Sequence, residues 1–209
     1  MATISVVIPC HNDAGLLSTC LAALAAQVRP AEEVIVVDNA STDATAETAR
    51  AAGARIVSEP ARGIWPAAAA GYDAATREVI ARLDADSVPP PDWLARLEAG
   101  LARSPEADLI TGPGDFYGCS PLVAWLGRTF YLGGYFFWIP VWLGHRPVFG
   151  SNFAMRREVW LGARGRVNRE RTDIHDDLDL SLHLDPAVRV RGPARRPAPP
   201  PSPGLTRSG

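Results

Sequence analysis

The sequence predicts an α/β protein: a mostly parallel, doubly wound sheet with helices on both faces. Three observations carry this. Short, β-branched apolar runs at Ile4 to Ile8 (ISVVI), Glu33 to Val37 (EVIVV) and Val79 to Leu83 (VIARL) read as strands buried on both faces. Stretches whose apolar residues follow helical spacing lie between them. Strand and helix therefore alternate, and that alternation winds a right-handed parallel sheet. In such sheets ligands sit beyond the carboxyl ends of the strands.

The first strand is stopped by Pro9, and Asn12 or Asp13 caps a helix built on Leu16, Leu17, Cys20, Leu21 and Leu24. The second strand ends in Asp38-Asn39. Ser41, Thr42 and Asp43 are cap candidates for a helix running to about Ala52, with Gly53 as its stop. Arg55 to Ser58 is a third short strand, Pro66 to Ala75 an alanine-rich helix, and Val79 to Leu83 the fourth strand. Asp92 caps a helix through Leu101, and Ala107 to Thr111 is a fifth strand ended by Gly112-Pro113-Gly114. After Phe153-Ala154-Met155 a helix opens at Arg156-Arg157-Glu158, and another starts near Asp176. The strand-end rule then gathers Pro9 to Asp13, Asp38-Asn39 and Asp84 to Asp86 along one rim.

A chain of 209 residues, 47% apolar and 21% charged, suffices for one α/β domain with a little left over. The formal charge of -2 hides an asymmetry. All 23 acidic residues lie at or before Asp185, where only 16 of the 21 arginines lie, so this body carries -7. An acidic body argues against nucleic acid as a partner. The three cysteines, Cys10, Cys20 and Cys119, are odd in number and lack CxxC spacing, which suits a reducing cytosol and indicates neither disulfide nor zinc. A strand begins within four residues of Met1, so no secretory leader is expected and the expected location is cytoplasmic.

Eleven of the sixteen aromatic residues fall between Phe116 and Phe149. Thr129 to Gly144 carries no charge, yet it is shorter than a membrane span and is interrupted by Gly133-Gly134 and Pro140. Two readings stand: a lid packed on the sheet, or a surface making peripheral contact with the inner face of the membrane. Pro186 to Gly209 has seven prolines and no acidic or aromatic residue, and reads as a disordered basic tail able to touch anionic lipid.

Chemistry concentrates at two acidic stretches. In VIARLDADS, Asp84 and Asp86 stand at the carboxyl end of a buried strand, where paired carboxylates suit a hard divalent cation that also takes diphosphate oxygens. Capping of a turn and the next helix is the plainer reading of the same two residues. In HDDLDL, Asp176, Asp177 and Asp179 exceed what helix capping needs.

Taken in order, VVIPCHND, VVDNASTD, GIWPAAAAGYDAA, LDADS, FGSNFAMRREVW and HDDLDLSLHL resemble the family 2 glycosyltransferases of the GT-A fold, over about residues 3 to 185. The resemblance implies an inverting transfer of a sugar from a nucleotide-diphosphate sugar, UDP-linked, to a hydroxyl acceptor, lipid-linked or glycan, with Mn2+ or Mg2+. It divides residues 1–185 into a nucleotide-sugar half at 1–115 and an acceptor half at 116–185, and makes the ending after 185 resemble a truncated C-terminus. It assigns Pro9 and Asp13 to the base and ribose pocket, and Asp38 to the imide N–H of uracil. For Asp13 and Asp38, capping of the following helix remains an equal or near-equal reading. Asp84 would face ribose or diphosphate and Asp86 would ligate the cation. Asp177 takes the place of the general base, with Asp176, Asp179 and Gly150-Ser151-Asn152 on the acceptor side. One departure stands out: the family commonly carries an arginine where this chain has Ala68, and Arg62 is expected to reach in its place. A catalytically impaired nucleotide-sugar-binding protein is the alternative. A sugar nucleotidyltransferase is a further one, although PCHNDAGLL lacks a glycine- and basic-rich triphosphate loop.

Overall fold

The computed structural model describes residues 1–112 and 146–192. In chain order its elements are β1 (Ile4–Cys10), α1 (Ala14–Ala25), β2 (Glu33–Asp38), α2 (Thr45–Ala51), β3 (Arg55–Ser58), α3 (Ile64–Ala74), β4 (Val79–Arg82), α4 (Trp93–Arg103), β5 (Leu109–Thr111), β6 (Phe153–Arg156), α5 (Arg157–Ala163), α6 (Asp176–His183) and β7 (Val190–Arg191). The strands form one sheet in the order β3-β2-β1-β4-β6-β5-β7. Neighbours run parallel except at β6, which is antiparallel to both β4 and β5. This is the mostly parallel, doubly wound class that the strand and helix alternation predicts.

Every residue of β1 is buried, as a central strand covered on both faces demands. One face carries Ile4, Val6 and Ile8 against Leu17 and Leu21 of α1 and Leu94 and Leu97 of α4. The other carries Val7, Ile35, Val37 and Ile80 against Trp65 and Tyr72 of α3, Trp160 of α5 and Leu180 of α6. On this second face the rings of Tyr72 and Trp160 meet edge-on at 5.1 Å.

β1 runs through Pro9 to Cys10 instead of stopping at the proline. The hydrogen-bond pattern explains why. Ile4 and Cys10 carbonyls accept from the β2 side, at Glu32 and Asn39, while Thr3 and Val7 carbonyls accept from Val79 and Leu83 on the β4 side. Pro9 therefore turns its missing N–H toward the β4 side, past the last paired residue, Arg82, where no ladder bond is lost.

Two features lay beyond the local pattern. Phe153 to Arg156 is a strand inserted between β4 and β5, pairing Met155 with Ile80 on one side and with Leu109 on the other. Regular structure also continues past Asp185, since Val190 and Arg191 pair with Leu109 and Ile110, and Asp108 accepts the Arg189 N–H at 3.0 Å. The boundary expected at residue 185 thus moves outward to 192 among the described residues. A two-residue strand has no periodicity to read, and an open edge on β5 is what orders it. The aromatic segment up to His145, with its lid and membrane readings, and the remainder of the Pro/Arg-rich tail lie outside the described residues. Among those described, no helix is long and apolar enough to cross a membrane.

Candidate active site

The rim at the carboxyl ends of β1, β2 and β4 is held together by the loop that starts α2. Neither Asn12 nor Asp13 caps α1 with its side chain. The first amides are capped from a distance: Asn12 N–H by Ser41 Oγ at 3.1 Å, Asp13 N–H by Thr45 Oγ1 at 3.3 Å and Ala14 N–H by Asp43 Oδ2 at 3.1 Å. Asn12 itself sits at φ 56, a conformation asparagine tolerates, and its Oδ1 accepts the Thr42 N–H at 2.7 Å. The Asp13 carboxylate is thereby released from capping and lines a cavity.

That cavity measures about 530 Å³ and also receives Pro9, His11, Asn39, Arg62, Asp84 and Asp86, with Thr172 at its far side. Asp38 is not on it. Asp38 Oδ1 accepts the Ser41 N–H at 3.0 Å, closing the turn after β2, and it is the next residue, Asn39, that reaches the cavity wall. The Asn39 amide donates to the carbonyls of Glu59 and Ala61 at 2.9 and 2.7 Å and accepts the Gly63 N–H at 2.8 Å. It so fixes the segment that carries Arg62. Gly63 has φ 150, and a Cβ there would meet Thr172 at 2.8 Å, so glycine is required where α3 begins. Arg62 lines the cavity, with Nη2 held 2.5 Å from His11 Nε2, while His11 Nδ1 donates to the Asn39 carbonyl at 2.7 Å. Ala68 does not face the cavity. It is fully buried, and Ala67 lines the wall instead.

The two acidic stretches meet around a guanidinium. Arg82 is 2% exposed and bridges Asp84 Oδ1 at 3.0 Å and Asp176 Oδ2 at 2.8 Å. The other oxygen of Asp84 accepts from Ser151 Oγ. Next to Ser151, the Gly150 N–H donates to Asp177 Oδ2 at 3.1 Å, and the Leu178 N–H to Asp177 Oδ1 at 2.8 Å. Asp84 and Asp177 therefore stand on the two sides of one tight turn. Burial raises the Asp86 pKa above the ordinary carboxylate value, with Asp84 and Asp13 adding repulsion. Burial also raises that of Asp176, helped by Asp177 and Asp84 and opposed by Arg82.

Residues 5–162 match the model of glycosyl transferase family 2. The chain belongs to that family. An uncharacterized glycosyltransferase of Mycobacterium tuberculosis is 42% identical over 109 residues, 52% of this chain and 47% of that protein. The glycosyltransferase AglE of Haloferax volcanii is 31% identical over 54% of this chain and 40% of its own length. The family 2 chain thus spans about half the length, or less, of these curated relatives. Glucosyl-3-phosphoglycerate synthase of Mycobacterium tuberculosis, crystallised with Mn2+, UDP and phosphoglyceric acid, superposes with a TM-score of 0.56 at 27% identity, over 76% of this chain and 57% of that one. A complex of the same synthase with Mn2+, UDP and glucosyl-3-phosphoglycerate covers 94% of this chain and 73% of its own, at 24% identity and a TM-score of 0.60.

In this family 2 site, Asp179, Asn152 and Asp176, expected on the acceptor side, are engaged by other elements of the fold. Asp179 is 6% exposed in the interior and accepts from Trp65 Nε1 at 2.8 Å and from the Asn168 amide groups at 2.8 and 2.7 Å. Burial works to raise its pKa, and the bonds from Asn168 and Trp65 outweigh it and hold it low. It ties α6 to α3, a role that three closely spaced aspartates conceal in the sequence. Asn152 Oδ1 accepts Trp93 Nε1 at 2.9 Å and so moors the Gly150-Ser151 turn to α4. Asp176 is buried beside Arg82 rather than presented to a substrate. Arg82 itself was missed by sequence reasoning. Its signal was present: an arginine in an otherwise apolar strand that is buried on both faces.

The donors fit a divalent cation of modest protein ligation. Among the described residues no three His, Cys, Asp or Glu side chains converge as a cage. Asp86 and Asp13 bring hard carboxylates to the cavity wall, where burial first and the charges of Asp84 and Asp13 second raise the Asp86 pKa. Mg2+ and Mn2+ accept such a site, completing their shell with water and phosphate oxygens.

Proposed function

We propose that this family 2 chain is an inverting glycosyltransferase that moves a sugar from a UDP-sugar to a hydroxyl acceptor and depends on Mn2+ or Mg2+. The single observation that carries this is the junction itself. A cavity at the strand ends gathers Asp13, Asp84, Asp86 and Arg62, and Asp177 stands across the Gly150-Ser151 turn from Asp84. The likeness to a synthase crystallised with Mn2+ and UDP supports the same donor class.

In this reading the β1 loop, Pro9 to Asp13, and Asn39 just past the β2 end receive the nucleoside, while Asp38 shapes the turn behind them. Arg62, on the cavity wall, meets the diphosphate. Asp86, with Asp13 beside it, holds the cation, which supplies Lewis-acid neutralisation of charge on the departing nucleoside diphosphate. Asp177 is oriented by two backbone N–H groups, from Gly150 and Leu178, and takes the proton of the acceptor hydroxyl. The freed oxygen pair forms the bond to the anomeric carbon while the bond from that carbon to the phosphate oxygen breaks, its electrons leaving with UDP. One base and one leaving group on opposite faces give inversion in a single displacement.

The test is nucleotide release from UDP- and GDP-sugars with and without Mn2+. Asp86→Ala is expected to abolish metal-dependent UDP binding, and Asp177→Asn to leave binding intact and stop transfer. Equal loss of binding in both would contradict the separate roles. Binding without any turnover, hydrolysis included, would instead identify a nucleotide-sugar-binding protein, and pyrophosphate release a nucleotidyltransferase.

A further inference from the structure

Arg82 is charged, central and almost wholly enclosed, and nothing in the reaction above uses it. As a stability device it is poor. Desolvating a guanidinium is expensive, a buried ion pair commonly contributes no more than well-packed apolar residues of the same volume, and among the described residues neither Arg82 Nε nor Nη1 makes a well-aligned hydrogen bond, Nη1 meeting Asp176 as an ion pair. What the group does have is position. Its Nη2 is 3.0 Å from Asp84, which shares a strand end with Asp86, and its Nη1 is 2.8 Å from Asp176, the residue before the base Asp177. Gly150 leaves the space it fills, since a Cβ at residue 150 would collide with Nη1. Ser151 closes the ring from the other side by donating to Asp84.

We propose that Arg82 is a positioning residue that couples the two halves of the site. By gripping Asp84 and Asp176 together it sets the distance and angle between the cation-bearing strand end and the helix that carries Asp177. It also occupies Asp84, so that ligation of the cation falls to Asp86. The catalytic consequence rests on the glycosyltransferase reading given above, whereas the coupling itself does not.

The coupling is therefore tested first without turnover. Melting temperatures are measured for Asp84→Asn, Asp176→Asn and the double variant, in the wild-type and in the Arg82→Met background. The expected result is that the two aspartate effects are non-additive, by a few degrees, when Arg82 is present and additive when it is absent. Additivity in both backgrounds would overturn the proposal. The second arm uses UDP-glucose hydrolysis in Mn2+, with water as acceptor. Arg82→Lys restores the charge but cannot bridge two carboxylates with a planar fork. It is expected to melt near the wild type and yet lose roughly 100-fold in kcat, the scale for a displaced base, with KM for UDP-glucose changed far less. Recovery of both stability and kcat by Lys, or by Arg82→Met combined with Asp176→Asn, would show that Arg82 only balances charge and would overturn the proposal. Should the wild-type chain neither bind UDP nor turn over any donor, the glycosyltransferase reading fails while the melting cycle still decides the coupling.

Discussion

Gly150→Ala probes the junction of the site with a single methyl group. The Gly150 N–H donates to Asp177 Oδ2 at 3.1 Å, and a Cβ on residue 150 would overlap Arg82 Nη1 and lie 3.4 Å from Asp177 Oδ2. Gly150 is not at positive φ, so alanine adds no backbone strain and the effect is one of space alone. The tip of an arginine ordinarily swings aside at little cost. This one is 2% exposed and anchored at 2.8 and 3.0 Å by Asp176 and Asp84, so the displacement spreads into both carboxylates. Overpacking a filled interior costs about 1–3 kcal/mol. A domain of this size loses about 2–4 °C of Tm per kcal/mol, which gives an expected drop of roughly 2–12 °C. The control is Gly162→Ala in α5, where no atom lies within 4 Å of the added Cβ. Relief of unfolded-state entropy there should raise stability by about 0.4–1 kcal/mol. Calorimetric melting of both variants is the assay, with UDP-glucose turnover measured on folded protein. If Gly150→Ala melts within about a degree of the wild type and turns over normally, Arg82 is not wedged beside Gly150 and the account of the junction is wrong.

Other outcomes follow from the same structure. Glu33 accepts from Ser5 Oγ at 2.5 Å, from Thr76 N–H and Oγ1 at 3.0 and 3.1 Å, and pairs with Arg55 at 3.0 Å. Burial works to raise its pKa, but these partners outweigh it and hold it below the ordinary 4.5. Its stabilisation is therefore complete above pH 4.5 and lost as pH falls through the lower folded value. Glu33→Gln should cost roughly 1.5–3 kcal/mol at neutral pH, with the Tm gap to wild type narrowing in acid; a gap that widens in acid contradicts this. Asn39→Ala removes three hydrogen bonds from the segment before α3 and should weaken UDP binding, read by titration calorimetry in Mn2+, through misplacement of Arg62. Burial pushes the Cys10 and Cys20 thiols up to about 11 and about 12. At pH 8, iodoacetamide should leave both unmodified in the native protein, as mapped by peptide mass spectrometry; labelling at the rate of a free thiol would refute their enclosure.

Much of this was legible before any coordinates. β-branched runs announced β1, β2 and β4 because a strand buried on both faces needs an unbroken apolar stretch, and Gly53 at φ 76 ended α2 where its place in the sequence said it would. The rim assignment followed from topology: of the stretches it gathered, Pro9, Asp13, Asn39, Asp84 and Asp86 line one cavity, and Asp38 does not. The local roles were harder. Asp13 and Asp92 stand where caps stand, yet neither caps: α1 borrows its cap from the α2 loop, and Asp92 pairs with Arg96 at 2.7 Å. Asp38 and Asn39 differ by one place, and the strand's two-residue alternation decides which of them turns outward to the cavity. β6 escaped because its four residues gain their identity only from the partners on either side.

The sequence by itself determined the class of sheet, the family and the edge along which acidic groups collect, since apolar periodicity and short motifs are local and survive without knowledge of contacts. Only the tertiary structure decided which aspartate serves the cavity and which serves the interior. Asp176, Asp177 and Asp179 are alike in the chain, but folding sets one on a buried guanidinium, one on the Gly150 turn and one beneath Trp65. The physical reason is that a carboxylate's role is fixed by the donors and the dielectric around it, and those come from residues distant in the chain, 27 positions for Gly150 and Asp177 and 114 for Trp65 and Asp179.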